Sequence, residues 1–309
     1  MKTLWIVITF MAILVHSDVW AGGACCSAGT NFPSLITNDD RAQIGLSVSG
    51  SSLIGISDRS GDVEFYHDEQ FDRSLTTSLS GASLISDRFQ VGARLPFVFR
   101  DVKDMNRESS SSGIGDLSLA FSFEALPQLF YNPWQPKVFL SIGLVLPTGA
   151  NKYESTETLF SDAVGKGHWT PQINAIALQV WGDWDASVAG LAHYSFAETF
   201  ESSRGAIKIK PGFGLSSQAR LGYSLGRTGL RLGAHLGPQW QQAQKESDQF
   251  GERQQAHRLV WDAGLEANYG ISSTQSLSLA YQDQTLIGPT NNTELSRGLS
   301  LNYRMGWLR

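Results

Sequence analysis

The chain has 309 residues, a formal net charge of −5 and 17% charged side chains, against about 25% in a typical soluble domain. Its 31 glycines and 10 prolines follow no Gly-x-y period, which excludes collagen, and so little charge excludes compositional disorder. A weakly acidic balance excludes a nucleic-acid surface, which needs a basic stripe.

Met1-Lys2 gives a positive start, and Leu4–Val15 is a nearly unbroken apolar run followed by Val19-Trp20-Ala21. The run is shorter than the roughly 20 residues of a spanning helix and exits through small residues. Residues 1–21 therefore read as a secretory signal peptide, residues 22–41 as a periplasmic N-terminal segment, and residues 42–309 as the main body. The segment carries Cys25 and Cys26, the only cysteines. Neighbouring Cα atoms lie about 3.8 Å apart and disulfides prefer about 4.4–6.8 Å, so a bridge between them is strained. An inert tail, lipidation at Cys25, a soft-metal pair and a cross-link to a partner are the other readings. Gly22-Gly23-Ala24 lacks the leucine of a lipidation site, and no His or Met adjoins the pair. No metal and no cofactor are assigned.

From residue 42 onward the pattern has period two. Leu117, Leu119, Phe121 and Phe123 alternate with Ser118, Ala120, Ser122 and Glu124. Val138, Leu140, Ile142, Leu144 and Leu146 enclose Ser141 and Gly143. Leu230, Leu232, Ala234 and Leu236 oppose Arg231, Gly233, His235 and Gly237, while Trp261 to Tyr269 oppose Asp262 to Asn268. Twelve strands are predicted, starting near Gln43, Ser74, Phe89, Gly115, Lys137, Thr170, Trp184, Lys208, Gly229, Arg258, Ser276 and Leu295. Long polar connections (Ser57–Arg73, Asp101–Gly113, Thr148–His168, Ala197–Ile207, Gln241–His257, Gln284–Glu294) alternate with short ones. Among the short ones only Pro127–Pro136 is longer than ideal.

A soluble sandwich also alternates, but its strands are shorter, about 5–6 residues. Here many segments run past ten, and aromatic residues such as Phe97, Phe99, Trp184, Tyr194, Phe196, Trp240, Tyr303 and Trp307 gather at segment ends. Aromatic girdles, an even strand count and alternating short turns and long loops define an outer-membrane barrel. The fold class is all-β: a transmembrane antiparallel up-and-down β-barrel of about twelve strands, both termini periplasmic. Gly298, Leu301 and Tyr303 have the Gly, aliphatic, aromatic spacing of a barrel-assembly signal, and Arg304–Arg309 extends the strand past it.

Ser112-Gly-Ile-Gly-Asp-Leu-Ser-Leu-Ala-Phe121 and Gly143-Leu-Val-Leu-Pro-Thr-Gly149 stand one hairpin apart, followed by Gly165-Lys166-Gly167. This stretch, residues 110–170, resembles the outer-membrane barrels named for the meta-pathway of phenol degradation, in which a G-x-G-D-L-x-L strand start precedes a strand ending in L-P-T-G. The resemblance implies an outer-membrane pore for small apolar or aromatic compounds; the apolar face makes lipid a partner, and the terminal Gly298, Leu301 and Tyr303 spacing adds the barrel-assembly machinery. The solute itself is not legible.

On the face opposite the apolar one, the predicted lumen carries Arg94, Glu124, Asp185, His193, Arg220, Arg231, His235, Asp262, Glu266 and Arg304. Isolated charges in a narrow barrel cost several kcal/mol, so they must be paired or wetted. An internal ion-pair network and a polar permeation path both fit. His193 and Ser195 share the luminal face and make the best hydrolase candidate, but no G-x-S-x-G elbow accompanies them. The loop Asp58–Arg73 is acidic without calcium-loop spacing. Three functions follow in order: a small-molecule channel, a closed barrel acting through its outer loops, and a membrane hydrolase.

Overall fold

The computed structural model describes residues 34–67, 70–128, 132, 134–202 and 205–309. The predicted signal peptide, Cys25 and Cys26 lie outside these residues, as does part of the Pro127–Pro136 connection. The first strands in chain order are β1 (Asp40–Ser57), β2 (Val63–Phe65), β3 (Phe71–Leu84), β4 (Phe89–Asp104), β5 (Arg107–Ile114) and β6 (Leu117–Leu126). Next come β7 (Lys137–Leu146), β8 (Thr170–Trp181), β9 (Trp184–Ser195), β10 (Glu198–Ser202), β11 (Gly205–Lys210) and β12 (Gly212–Ser224). The last are β13 (Leu230–Gln241), β14 (Lys245–Asp248), β15 (Gly251–Gln254), β16 (Arg258–Gly270), β17 (Gln275–Asp283) and β18 (Thr293–Leu308).

Each wall strand pairs antiparallel with its neighbours, in the order β1, β3, β4, β6, β7, β8, β9, β12, β13, β16, β17, β18. Pairing of β18 with β1, from Asp40↔Leu308 to Ser57↔Thr293, closes the cylinder. The fold is therefore a closed twelve-position antiparallel barrel, with no open sheet edge to satisfy in lipid. β5 and β6 share one position, because both pair with β4. One rim carries the long connections and is called the loop end here; the other carries the short ones, together with Asp40 and Leu308, and is called the turn end.

Alternation decides which side chains meet lipid. On β6, Leu119 and Phe121 are exposed on the outer surface, whereas Ala120, Ser122 and Glu124 are buried inside. On β7, Leu140 and Ile142 point out and Phe139 and Ser141 point in. An apolar outer band over a small, polar interior is the reverse of a soluble protein, and only lipid makes it favourable. Arginine at a midplane lipid-facing site costs about 2–4 kcal/mol. Leu119→Arg and Leu144→Arg should therefore sharply reduce the folded, heat-modifiable fraction recovered from membranes. Ser118→Arg, which points into an interior cavity, should reduce it far less. Equal losses would mean that the faces are assigned wrongly.

Two boundaries differ from the sequence expectation. The strand placed near Lys208 begins at Gly212, while Gly205–Lys210 joins a separate four-stranded sheet, β10-β11-β14-β15, built from two long connections. Gly212 takes φ +76°, which breaks the ladder between the two pieces. The polar stretch Asp101–Gly113 is not an open loop. It extends the wall as a hairpin of β4 and β5, with Asp104 opposite Arg107. Its alternation is polar on both faces, so no apolar period marks it.

Candidate functional site

The interior divides into three levels. The turn end is filled. Arg231 on β13 donates from Nε and Nη2 to Asp185 on β9, at 2.5 and 2.6 Å, and from Nη1 to Glu266 on β16. Glu266 in turn lies 3.8 Å from the Arg220 guanidinium, which also donates to Gln218. Two further pairs sit at this level. Arg304 meets Asp40 at 2.5 Å, and Lys137 lies 3.6 Å from Glu124. At mid-height His235 stands 3.8 Å from Asp262. Asp185, Arg220, Arg231, His235 and Glu266 are buried, and the acceptors of Arg231 come from strands on both sides of it. Asp262 belongs to His235.

The same end is blocked by the chain's own residues 34–39, which enter the barrel ahead of β1. Leu35 packs on Phe139 of β7 and on Ile176 and Leu178 of β8, forming an apolar cluster inside an otherwise polar interior. The Gln90 side chain reads both backbone groups of Ile36, accepting from its N–H at 2.7 Å and donating to its carbonyl at 3.3 Å. Gln43 donates to Leu35 O, and Lys137 Nζ donates to Thr37 O. Gly92 lies against Ser34, whose carbonyl a Cβ would meet at 2.6 Å. This plug has no period-two or helical signature, and only the inward Phe139, Ile176 and Leu178 hint that something apolar must cover them.

Toward the loop end the interior opens into a 720 Å3 cavity, with Ser34 of the plug on its floor. Pockets of this size, about 300–1,000 Å3, take small organic molecules. Arg94 and His193 line it, and Arg94 donates to Ser78. His193 Nε2 contacts Gln241 Oε1 at 2.9 Å, while Ser195 Oγ lies 2.8 Å from Thr170 Oγ1. The two side chains are thus bonded to different partners, not arranged as nucleophile and base. The roof comes from the loops. Tyr153 stacks on Phe200 at 5.0 Å, His168 meets the same ring edge-on, and Gln244 donates to the Tyr153 hydroxyl. Burial among these groups lowers the His168 pKa, against the smaller opposing effect of a backbone hydrogen bond at Phe196.

The glycine-rich stretches work as a clasp that folds residues 147–169 into the barrel mouth. β7 stops at Leu146, opposite Leu117, leaving the far edge of β5 without a wall neighbour. Thr148 Oγ1 bridges the break between β5 and β6, accepting from Leu117 N at 2.9 Å and donating to Gly115 O at 2.8 Å. The Asp116 carboxylate accepts from Gly149 N at 3.1 Å and from Lys166 N at 2.8 Å. Gly115, Gly149 and Gly165 meet backbone to backbone, and a Cβ on Gly165 would lie 2.6 Å from Gly149 O. Only glycine permits that approach. Farther along, Arg100 donates to Phe160 O and Ala163 O while pairing with Asp72 at 2.5 Å. Hydrogen bonds to Asp162 from Ser155 and from the Thr156 N–H tie the loop to itself.

The assembly-signal positions lie on the closing strand. Leu301 is exposed outward, the Tyr303 hydroxyl donates to Gln275, and Gly298 lies beside Gly50 of β1. The wall continues past them to Leu308.

A closed transmembrane barrel with an inward-folded loop, a turn end occupied by residues 34–39 and buried ion pairs, and a cavity between them defines the class. Residues 51–303 match the family model described as "Putative MetA-pathway of phenol degradation". The chain belongs to that family. Among solved structures, the COG4313 outer membrane channel from Pseudomonas putida F1 superposes with TM-score 0.68 at 16% identity, covering 90% of this chain and 99% of that one. The translocator domain of autotransporter NalP from Neisseria meningitidis gives TM-score 0.48 at 13% identity, covering 88% and 90%. A TodX monoaromatic hydrocarbon channel variant gives 0.47 at 10%, covering 87% and 91%. No curated protein matches the sequence.

Proposed function

We propose that the protein is an outer-membrane channel for small organic compounds, closed at its turn end by residues 34–39 and filled from its loop end. The observation that carries this reading is the 720 Å3 cavity enclosed by the barrel wall, whose floor includes Ser34 of the segment ahead of β1 rather than a strand of the wall alone. A floor held by hydrogen bonds and two apolar side chains can leave without unmaking the ladder. The family's name and the similarity in fold to an outer membrane channel support the same reading. On it, the chain is a transporter and not an enzyme. The signal peptide exports it, and Gly298, Leu301 and Tyr303 present it to the barrel-assembly machinery. The short turns and both termini then face the periplasm. A closed structural barrel is the second reading, favoured by the buried ion pairs around Arg231. Planar-bilayer recordings of the purified full-length mature protein separate the two. The channel reading expects discrete single-channel currents. Silence in many insertions, with folded barrel confirmed by heat-modifiable mobility, would decide for the closed barrel.

A further inference from the structure

We infer that the loop-end cavity is an anion site, and that the solute it takes is a small organic carboxylate with an apolar body. The inference deepens the channel reading by naming its solute class. Arg94, Arg100, Lys152, Lys166 and Arg258 line the cavity, and Asp116 is the only carboxylate among the described residues that do. Asp116 is already committed to two backbone N–H groups of the clasp. The Arg100 charge is offset by Asp72. Among the described residues, Lys152, Lys166 and Arg258 have no carboxylate within 4 Å; Lys152 Nζ lies over the Tyr153 ring and Arg258 donates to Gln255 Oε1. A cleft of one sign with low-dielectric walls concentrates counter-ions of the opposite sign.

Depth reinforces this sorting. The luminal acids Asp185, Glu266, Glu124 and Asp40 are all taken up by cations at the turn end. Asp262 stands against His235 at mid-height. A solute entering between the loops therefore meets the cations that line the cavity before it reaches Asp262 at mid-height and the paired acids of the turn end. Between the cations, Ser, Thr and Gln side chains alternate with apolar patches, from Val164 and Tyr153 of the clasped loop and Leu191 of β9. A cationic pocket with apolar patches matches a carboxylate on a hydrocarbon or aromatic body better than an inorganic anion or a neutral hydrocarbon.

Isothermal titration of benzoate, benzyl alcohol and benzylammonium into the detergent-solubilised full-length protein tests this without requiring conduction. Benzoate should bind at least tenfold more tightly than either comparator, and its affinity should fall as potassium chloride is raised. Lys152→Gln with Lys166→Gln, both exposed loop side chains, should weaken benzoate about tenfold and leave benzyl alcohol unchanged. Arg94→Gln should weaken it further. Equal binding of the three probes, a preference for benzyl alcohol or benzylammonium, or no benzoate binding by folded protein would overturn the inference. Benzoate binding to a protein that carries no current would leave the anion site standing and remove the channel reading instead.

Discussion

Arg231→Ala should lower the stability of the barrel by about 3–5 kcal/mol, the usual consequence of removing one partner from a buried charge network. All three nitrogens of the guanidinium are committed, two to Asp185 and one to Glu266. The side chains are 3%, 7% and 1% exposed, so the two carboxylates left behind are out of reach of bulk water. Arg220 lies 3.8 Å from the far oxygen of Glu266 and already donates to Gln218. Room for the guanidinium is made by Gly222 on β12, where a Cβ would come within 2.1 Å of it. Gly222→Ala should therefore destabilise in the same direction by displacing the arginine. The measurement is urea unfolding in detergent, followed by tryptophan fluorescence. Arg231→Met and Arg220→Met combined with Asp185→Leu and Glu266→Leu removes the charges of the network together, Arg220 included because it lies 3.8 Å from Glu266, and should recover most of the loss. If that quadruple variant were as unstable as Arg231→Ala, packing rather than charge would explain the effect.

The sequence makes the wall of this barrel readable and leaves its contents hidden, for a physical reason. Period-two alternation reports only whether a residue faces in or out, and the described register agrees with it from Leu46↔Tyr303 to Leu119↔Leu144. It does not report depth. Arg94 and Arg231 look alike in sequence, yet one lines the cavity and the other closes the turn end. Nor does it report what crosses the interior. Leu35 and Ile36 are buried against residues far along the chain, and no local pattern requires that. The hairpin of β4 and β5 escapes because above the membrane neither of its faces needs to be apolar. The Gly115-Asp116 and Pro147-Thr148-Gly149 stretches show the converse. Their spacing is visible at once, but that they form a clasp follows only from the approach of Gly165 in space.

The plug offers the second large effect. Leu35→Asp with Ile36→Asp should release residues 34–39 from the turn end and raise single-channel conductance. Burying two aliphatic side chains contributes roughly 3–6 kcal/mol in all. The four hydrogen bonds to Gln90, Gln43 and Lys137 contribute about 1 kcal/mol each. Against this stands the backbone entropy of ordering six residues, about 1–2 kcal/mol each. The segment is thus held by a small margin, and two buried carboxylates costing several kcal/mol apiece reverse it. Nothing in the ladder passes through these residues, since β1 begins at Asp40 and closes on β18 without them. The unfolding midpoint of the wall should consequently change little, while the released segment becomes open to protease from the turn end. Higher conductance together with new proteolysis is the expected pair of results. Proteolysis without any gain in conductance would place the seal in the Asp185–Arg231–Glu266 network, and the variant lacking that triad of charges would then be the one to conduct.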